Sequence, residues 1–441
     1  MAPRYAPSLR SRLAPLLLLL QIGFIVIYAV YIEVLTHLLS LYYLLSFAEF
    51  QDVNVMVILG FGFLGTFLVR YGYSATGFNL LVAVMATQWA VILNGIESWY
   101  YRGKIRADLR SLVVAEMCAA SALISIGALL GKTNPVHLVL IALLEVSGFV
   151  LNQWLLQTLL KVPAANSIML LHIFGAFFGL ALTWILFRKG SLQPFEKEKF
   201  DRQAGLFSMM ASGIVQLEIQ VQTLNYFNSV LVDHRSPWRK LGAVCSTYLA
   251  LAVSAVTAAA VSMLSSPKGK LNPVHMQSFI LAGGVAVGVS MSAVHQPWEA
   301  MTIGFTAAVL STIVSRYLKT HMLLAFECHD TSALLSTHGL PGLLGWLAHL
   351  LLQIKACDDP TVAVRFAVFH ICSLLITISL SLSMGIITGL LLKWNFWRPP
   401  QDNKCFDDQA FWEVGNQNFV FLKTNVELNI ILSLHRKDQI S

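Results

Sequence analysis

Long apolar runs recur along almost the whole chain and are separated by short polar segments. Each run is long enough to form an α-helix that crosses the roughly 30 Å hydrocarbon core of a bilayer. The runs lie at 14–34, 53–69, 77–95, 111–131, 136–160, 167–187, 205–230, 241–264, 276–296, 299–316, 332–354 and 364–393. The pattern predicts an all-α polytopic membrane protein of twelve spans, with a membrane domain at 1–400 and a tail at 401–441.

The composition excludes several other classes of protein. Hydrophobic residues make up 56% of the chain and charged residues 12%, whereas soluble proteins carry about 25% charged residues. Basic residues fall singly or in pairs between apolar runs, so a nucleic-acid interface is not expected. No paired carboxylates, activated nucleophile or metal-ligand spacing is visible, so we expect neither an enzyme nor a cofactor or metal site.

The formal net charge of +7 predicts an orientation once the basic residues are assigned to the two sides of the membrane. With the N-terminus inside, most Lys and Arg fall in cytoplasmic segments, as the positive-inside rule requires. The outward loop at 102–110, with four basic residues, is an exception. We therefore expect a multi-pass plasma-membrane protein with both termini in the cytoplasm. Cys405, just past the last span, is a candidate for palmitoylation.

Two segments carry candidate chemistry. His172 lies inside an apolar run, LHIFGAFFGL at 171–180, where an imidazole is costly unless it is paired or lines a cavity. It could be functional, or it could bond to a neighbouring helix. In the second segment, CHDTSALLSTHGLPGLLG at 328–345, His329 and Asp330 lie at the mouth of a span and His338 lies inside it. Asp330 is predicted to cap the first turn of that span. The other histidines lie near span ends or singly within spans, and packing roles are expected for them.

These segments, with several others, resemble the Rh family of the ammonium transporter superfamily, and most closely the Rh blood group polypeptides of the red cell. The residues that carry the resemblance are NPVHLVLIALLEV (134–146), HIFGAFFGL (172–180), KGKLNPVHMQSFILAGGVAVG (268–288), MTIGFTAAVLSTI (301–313), HDT…HGLPGLLG (329–345) and FDDQAFWE (406–413). The motif positions that we single out are Gly175, Gly179, His329, Asp330, Gly339 and Pro341.

The resemblance implies a fold and a pore. It implies a trimer in which each subunit is a bundle of two inverted five-helix repeats plus an extra N-terminal helix. In transporting members two histidines in contact line a narrow pore, and His172 matches the first of them. An ungapped alignment of 330–342 places Leu335 at the second position, with His338 matching a different histidine, so we expect the pair to be broken. The outer-gate phenylalanine corresponds to Met117, and an acidic position to Ala164.

The resemblance therefore implies a subunit that assembles, as a homo- or heterotrimer, with Rh-associated glycoprotein-like chains in the erythrocyte membrane. Linkage of this complex to the membrane skeleton through ankyrin is expected, with the chain's own pore impaired. The alternative is a working channel for neutral ammonia or carbon dioxide. The run at 205–230 departs from the family pattern, because polar residues around Glu218 alternate with apolar ones. That segment is either a new polar lining, local divergence or a misassigned coding segment.

Overall fold

The computed structural model describes residues 9–34, 47, 50–68, 71–186, 206–214, 237–266, 268–271, 273–326, 330–394 and 408–413. In these ranges the protein is almost entirely helical. The first helices are α1 (Ala14–Tyr31), α2 (Phe50–Phe67), α3 (Gly72–Asn94), α4 (Ile96–Arg102), α5 (Leu109–Gly127), α6 (Pro135–Leu159), α7 (Ala164–Met169) and α8 (Leu171–Leu186). After a helical stretch at 206–214 follow α9 (Pro237–Ser265), α10 (Pro273–Ser290), α11 (Pro297–Phe326), α12 (Leu340–Lys355) and α13 (Pro360–Lys393).

Helix starts follow from local sequence signals. The α5 helix begins with a capping box, in which Asp108 accepts the Ser111 N–H at 2.7 Å and the Ser111 hydroxyl accepts the Asp108 N–H at 2.9 Å. Both α6 and α13 begin with proline, preceded by a capping Asn134 or Asp359. These signals end the polar loops and start the apolar spans.

Nine helices of the described residues are long and apolar enough to cross a membrane. They correspond to the predicted runs one to six, eight, ten and twelve. The ninth run is α10, whose apolar part, Ser278–Ser290, is shorter than a full span. The eleventh run is a π-helical turn, Leu335–Gly339, continued by α12. Most of the seventh run, including Glu218, lies outside the described residues, so its polar pattern stays a prediction.

A short pair of strands interrupts the helical architecture. Strand β1 (Ile32–Val34) pairs in parallel with β2 (Ile105–Ala107), with Glu33 opposite Arg106. The Lys104 ammonium also donates to the carbonyl of Val30 at 2.6 Å. These contacts tie the end of α1 to the loop before α5.

Helices of this bundle approach each other closely at several glycines. A Cβ atom on Gly175 would lie 2.8 Å from the Ser121 carbonyl oxygen, and one on Gly179 would lie 2.8 Å from that of Ser125. Helices α5 and α8 therefore approach at backbone distance, as small residues allow in membranes. In contrast, a Cβ on Gly288 would meet nothing within 4 Å.

Two packed regions frame the site. One buried cluster joins α2, α3, α5, α6 and α8, and a second joins α9, α10 and α11. Helix α13 packs along α8, while the π-helical turn before α12 contacts both α8 and α10. The two segments that carry candidate chemistry therefore meet between these regions.

Candidate functional site: a buried imidazole pair

His172 and His338 form a contacting pair inside the bundle. Their Nδ1 atoms lie 3.3 Å apart, and their rings are nearly parallel, with centroids 5.3 Å apart and an interplanar angle of 12°. The residues are only 8% and 5% exposed, so the pair is shielded from bulk water. Only one proton fits between the two Nδ1 atoms, so one imidazole donates and the other accepts.

The expectation that Leu335 takes the second position, leaving the pair broken, is wrong in this structure. The helix is π-helical over Leu335–Gly339. Because i→i+5 bonding adds a residue to the turn, the side chains point differently from those of an ideal α-helix. His338 turns toward His172, whereas Leu335 lines a separate cavity with Leu180 and Val314.

The loop before the π-helical turn fixes its position. Asp330 accepts the backbone N–H groups of Leu334 at 2.7 Å and Leu335 at 2.9 Å, which is the capping role that the sequence predicts. Ser332 donates to the Gly127 carbonyl at 2.7 Å, anchoring the loop to the end of α5. Ala333 has φ 54°, a left-handed conformation that is unfavourable for alanine. The strain sits where the chain enters the site.

His172 is positioned by a buried network from α5 and α6. The Ser121 hydroxyl lies 2.8 Å from Glu145 Oε1 and 3.4 Å from the Leu171 carbonyl oxygen, next to His172. One turn on, the Ser125 hydroxyl donates to the Gly175 carbonyl at 2.8 Å. Sequence reasoning did not single out Glu145, although an acidic residue inside an apolar run is itself a signal of a buried polar contact.

A small, mostly apolar cavity with a few polar atoms in its wall adjoins His338. Its volume is about 40 Å³, and its walls include Phe61, Asn79, Thr337 and His338. The Phe61 and His338 rings stack with centroids 6.4 Å apart. Asn79 Oδ1 and Thr337 Oγ1 are buried without a hydrogen-bond partner among the described residues. Buried polar atoms normally have partners, so these two atoms offer hydrogen-bonding positions to a small polar guest. Sequence reasoning missed Phe61 and Asn79, which lie in no quoted motif, and it did not single out Thr337 within the segment 328–345.

The structure places the other predicted residues outside this cluster or outside the described ranges. Met117 is 2% exposed and belongs to the core cluster of the first region. Ala164 begins the short helix α7. Gly339 ends the π-helical turn, and Pro341 lies in the first turn of α12. His329 and Cys405 lie outside the described residues.

The geometry can be compared with known proteins. The model of the Ammonium Transporter Family matches residues 13–398. This chain belongs to the ammonium transporter family. Its relatives within the family include the ammonium transporter Rh type C of Canis lupus familiaris, 35% identical over 93% of this chain and 95% of the relative. The ammonium transporter Rh type A of Bos taurus is 37% identical over 84% of each chain.

Solved structures support the family fold. Rh50 of Nitrosomonas europaea, a Rhesus-family channel, aligns with a TM-score of 0.73 at 24% identity, covering 90% of this chain and all of that one. A sensor Amt protein aligns with a TM-score of 0.67 at 14% identity, covering 85% and 98% of the two chains. At these identities the likeness concerns the fold. The chain thus has the all-helical fold of the ammonium transporter family, with two facing imidazoles inside it.

Proposed function

We propose that this protein conducts neutral ammonia, formed when ammonium gives a proton to water outside the pore, across the membrane past the His172–His338 pair. The observation that carries the proposal is the 3.3 Å separation of the two buried Nδ1 atoms. The Rh-type transporters to which the chain is similar, by their names, act on ammonium. The expectation of an impaired pore rested on a missing second histidine, together with Met117 at the outer gate and Ala164 at the acidic position. The 3.3 Å contact removes the first of these reasons.

The chemistry of the site fits a neutral guest. A bare ammonium ion is costly to bring into an apolar constriction, whereas ammonia is not. A neutral imidazole offers both a donor and an acceptor, so a facing pair can bind ammonia by hydrogen bonds and relay a proton. The unpartnered oxygens of Asn79 and Thr337 add acceptors on one side of the pair. The cavity there has room for a few molecules of the size of water or ammonia.

The test is uptake of labelled methylammonium by proteoliposomes that contain the purified chain. We expect saturable uptake above protein-free vesicles, and loss of at least tenfold in His172→Ala and in His338→Ala. His295→Ala is the matched control, because His295 is exposed and lies outside the site; its uptake should equal that of the wild type. Wild-type vesicles no more permeable than empty ones, or equal rates in all three variants, contradict conduction at this pair.

A second proposal concerns assembly. We infer that the chain forms a trimer, either with itself or with Rh-associated glycoprotein-like subunits, in the erythrocyte plasma membrane, and that this complex is linked to ankyrin. The span at Leu9–Tyr31 leaves an apolar surface open to lipid or to a neighbouring subunit, because only 11% of its most apolar stretch is buried within the chain. Native mass spectrometry of the chain co-expressed with the glycoprotein should give a mixed trimer. A monomer under all conditions contradicts this proposal.

The placement of both termini in the cytoplasm also stays a proposal. It is supported by the distribution of basic residues. Labelling of single cysteines introduced at residue 5 and at residue 103 tests it, since only the second should react with an impermeant reagent added outside intact cells.

A further inference from the structure

A second imidazole pair lies outside the site described above. His349 on α12 and His370 on α13 face each other, with His349 Nδ1 3.3 Å from His370 Nε2. The His370 ring is held between Trp346, at a centroid distance of 4.8 Å and an interplanar angle of 2°, and Phe366, at 5.2 Å. The two histidines are 21 residues apart in sequence, which is why no metal spacing was visible along the chain.

This pair borders its own cavity. The cavity has a volume of about 140 Å³ and is lined by both histidines, Trp346 and the segment 160–163. His349 is eleven residues beyond His338, which places it about 16 Å farther along the helix axis. The cavity is therefore separate from the one beside His172 and His338, and the function proposed above does not use it.

The geometry points to a binding site for Zn²⁺ between His349 and His370. Zinc binds imidazole nitrogen at about 2.0–2.1 Å in tetrahedral geometry. Two such ligands are then about 3.3–3.4 Å apart, which is the observed separation. Adjacent ligands of a square-planar ion, which Cu²⁺ and Ni²⁺ favour, would be closer, at about 2.9 Å. In the metal-free protein a hydrogen bond between the two rings sets this separation, as it does for His172 and His338, and a tetrahedral ion can use the same spacing.

The surroundings of His349 are those of a metal ligand. Its Nε2 lies 2.8 Å from the Ser292 hydroxyl. When that nitrogen carries the proton and donates to Ser292, the lone pair of Nδ1 points at His370. Ligating histidines almost always donate their other ring N–H in this way, which fixes tautomer and ring orientation.

His370 needs one change of tautomer. Its Nε2 lies 3.2 Å from the Trp346 carbonyl oxygen as well as near His349, so without metal its proton is shared between these two acceptors. Moving that proton to Nδ1 frees Nε2 as a ligand. Both imidazoles stay neutral, and no net proton is released.

Water would complete the coordination. Among the described residues no three His, Cys, Asp or Glu side chains converge on one point, so the protein supplies two ligands. The cavity has room for several waters, each needing at least about 10–15 Å³. Lys161, which lines the cavity, is exposed, so solvent screens its repulsion of a cation.

The experiment is Zn²⁺ titration by calorimetry on the full chain, purified with a histidine-free tag. We expect one Zn²⁺ per chain in the wild type, and binding weakened at least tenfold in His349→Gln and His370→Gln. Ser292→Ala keeps both ligands and should weaken binding about 10- to 100-fold through the lost orientation. Co²⁺ replacing Zn²⁺ should give the visible absorption of a tetrahedral site.

His295→Gln is the control, because it removes an exposed imidazole three residues along the chain from Ser292. Its Zn²⁺ affinity should equal that of the wild type. The inference is overturned by a wild type that binds no Zn²⁺, or by binding that survives in both histidine variants or disappears in the control. Should a histidine variant not fold, the wild-type stoichiometry and the Ser292→Ala affinity still decide the question. None of these readouts depends on transport.

Discussion

The carboxylate of Asp408 caps the first turn of α3 at Ser74, 334 residues earlier in the chain. Asp408 Oδ1 accepts the Ser74 N–H at 2.7 Å, and Oδ2 accepts the Tyr73 N–H at 3.0 Å. Asp408 is 8% exposed. The first N–H groups of a helix lack partners within the helix. The residue before α3 provides no capping side chain, so the carboxylate of the distant Asp408 accepts these N–H groups. The C-terminal motif is therefore part of the folded bundle.

Replacing Asp408 with alanine should loosen this start of α3. A lost helix cap costs about 0.5–2 kcal/mol, so the protection of the Tyr73 and Ser74 amides against hydrogen exchange should fall roughly 2- to 30-fold. Exchange read out by mass spectrometry on the peptide around 71–76 measures this. Asp358→Ala removes an exposed carboxylate elsewhere and should leave that peptide unchanged. Unaltered exchange in Asp408→Ala contradicts the capping role.

Gly77 should control the docking of the same C-terminal segment. A Cβ atom there would overlap the Trp412 ring, whose Nε1 donates to the Ser74 hydroxyl at 3.0 Å. Because a rigid indole cannot bend away, Gly77→Ala should displace Trp412 and expose residues 408–413 to protease. Gly23→Ala, where a Cβ meets nothing within 4 Å, is the matched control. Equal cleavage rates for the two variants argue against this packing.

The sequence predicted the framework of this fold better than its site. The positions of the apolar runs predicted the spans. In lipid the backbone N–H and C=O groups must form hydrogen bonds within their own segment, so each run is expected to be a helix. The capping by Asp330 was also predictable from local chemistry. The partner of His172 was not predictable. The ungapped alignment placed Leu335 at the second position, and in a regular α-helix His338 would point in another direction. The π-helical turn at Leu335–Gly339 breaks the regular helical repeat and presents His338.

Leu335→His should therefore add nothing to transport. Leu335 lines a cavity with Leu180 and Val314, away from the pair, so a new imidazole there would not contact His172. We expect methylammonium uptake no higher than that of the wild type, whereas His338→Leu should reduce it at least tenfold. A gain of flux in Leu335→His, with little loss in His338→Leu, would mean that the helical register at 335–339 differs from the one described.

Gly175→Ala should move His172 and destabilise the protein. The added methyl would lie 2.8 Å from the Ser121 carbonyl oxygen, and backbone cannot easily give way. Overpacking of this kind costs about 1–3 kcal/mol, so the midpoint of thermal unfolding in detergent should fall. Gly288→Ala, in a span with open space around the new methyl, should be tolerated. A similar midpoint in both variants would indicate that α5 and α8 are not in backbone contact.

The Ser121–Glu145 contact gives the sharpest test of how His172 is held. Ser121→Ala removes the hydroxyl that lies 2.8 Å from Glu145 Oε1 and leaves that buried carboxyl short of a partner, which costs about 1–3 kcal/mol. Replacing both residues with apolar ones, Ser121→Ala with Glu145→Leu, should recover part of that loss, because no polar group is then left unsatisfied. Thermal unfolding of the two single variants and the double variant measures the coupling. Because the Ser121 hydroxyl also reaches the Leu171 carbonyl at 3.4 Å, uptake should fall in Ser121→Ala and stay low in the double variant. Additive losses of stability would show that the hydroxyl and the carboxyl do not interact.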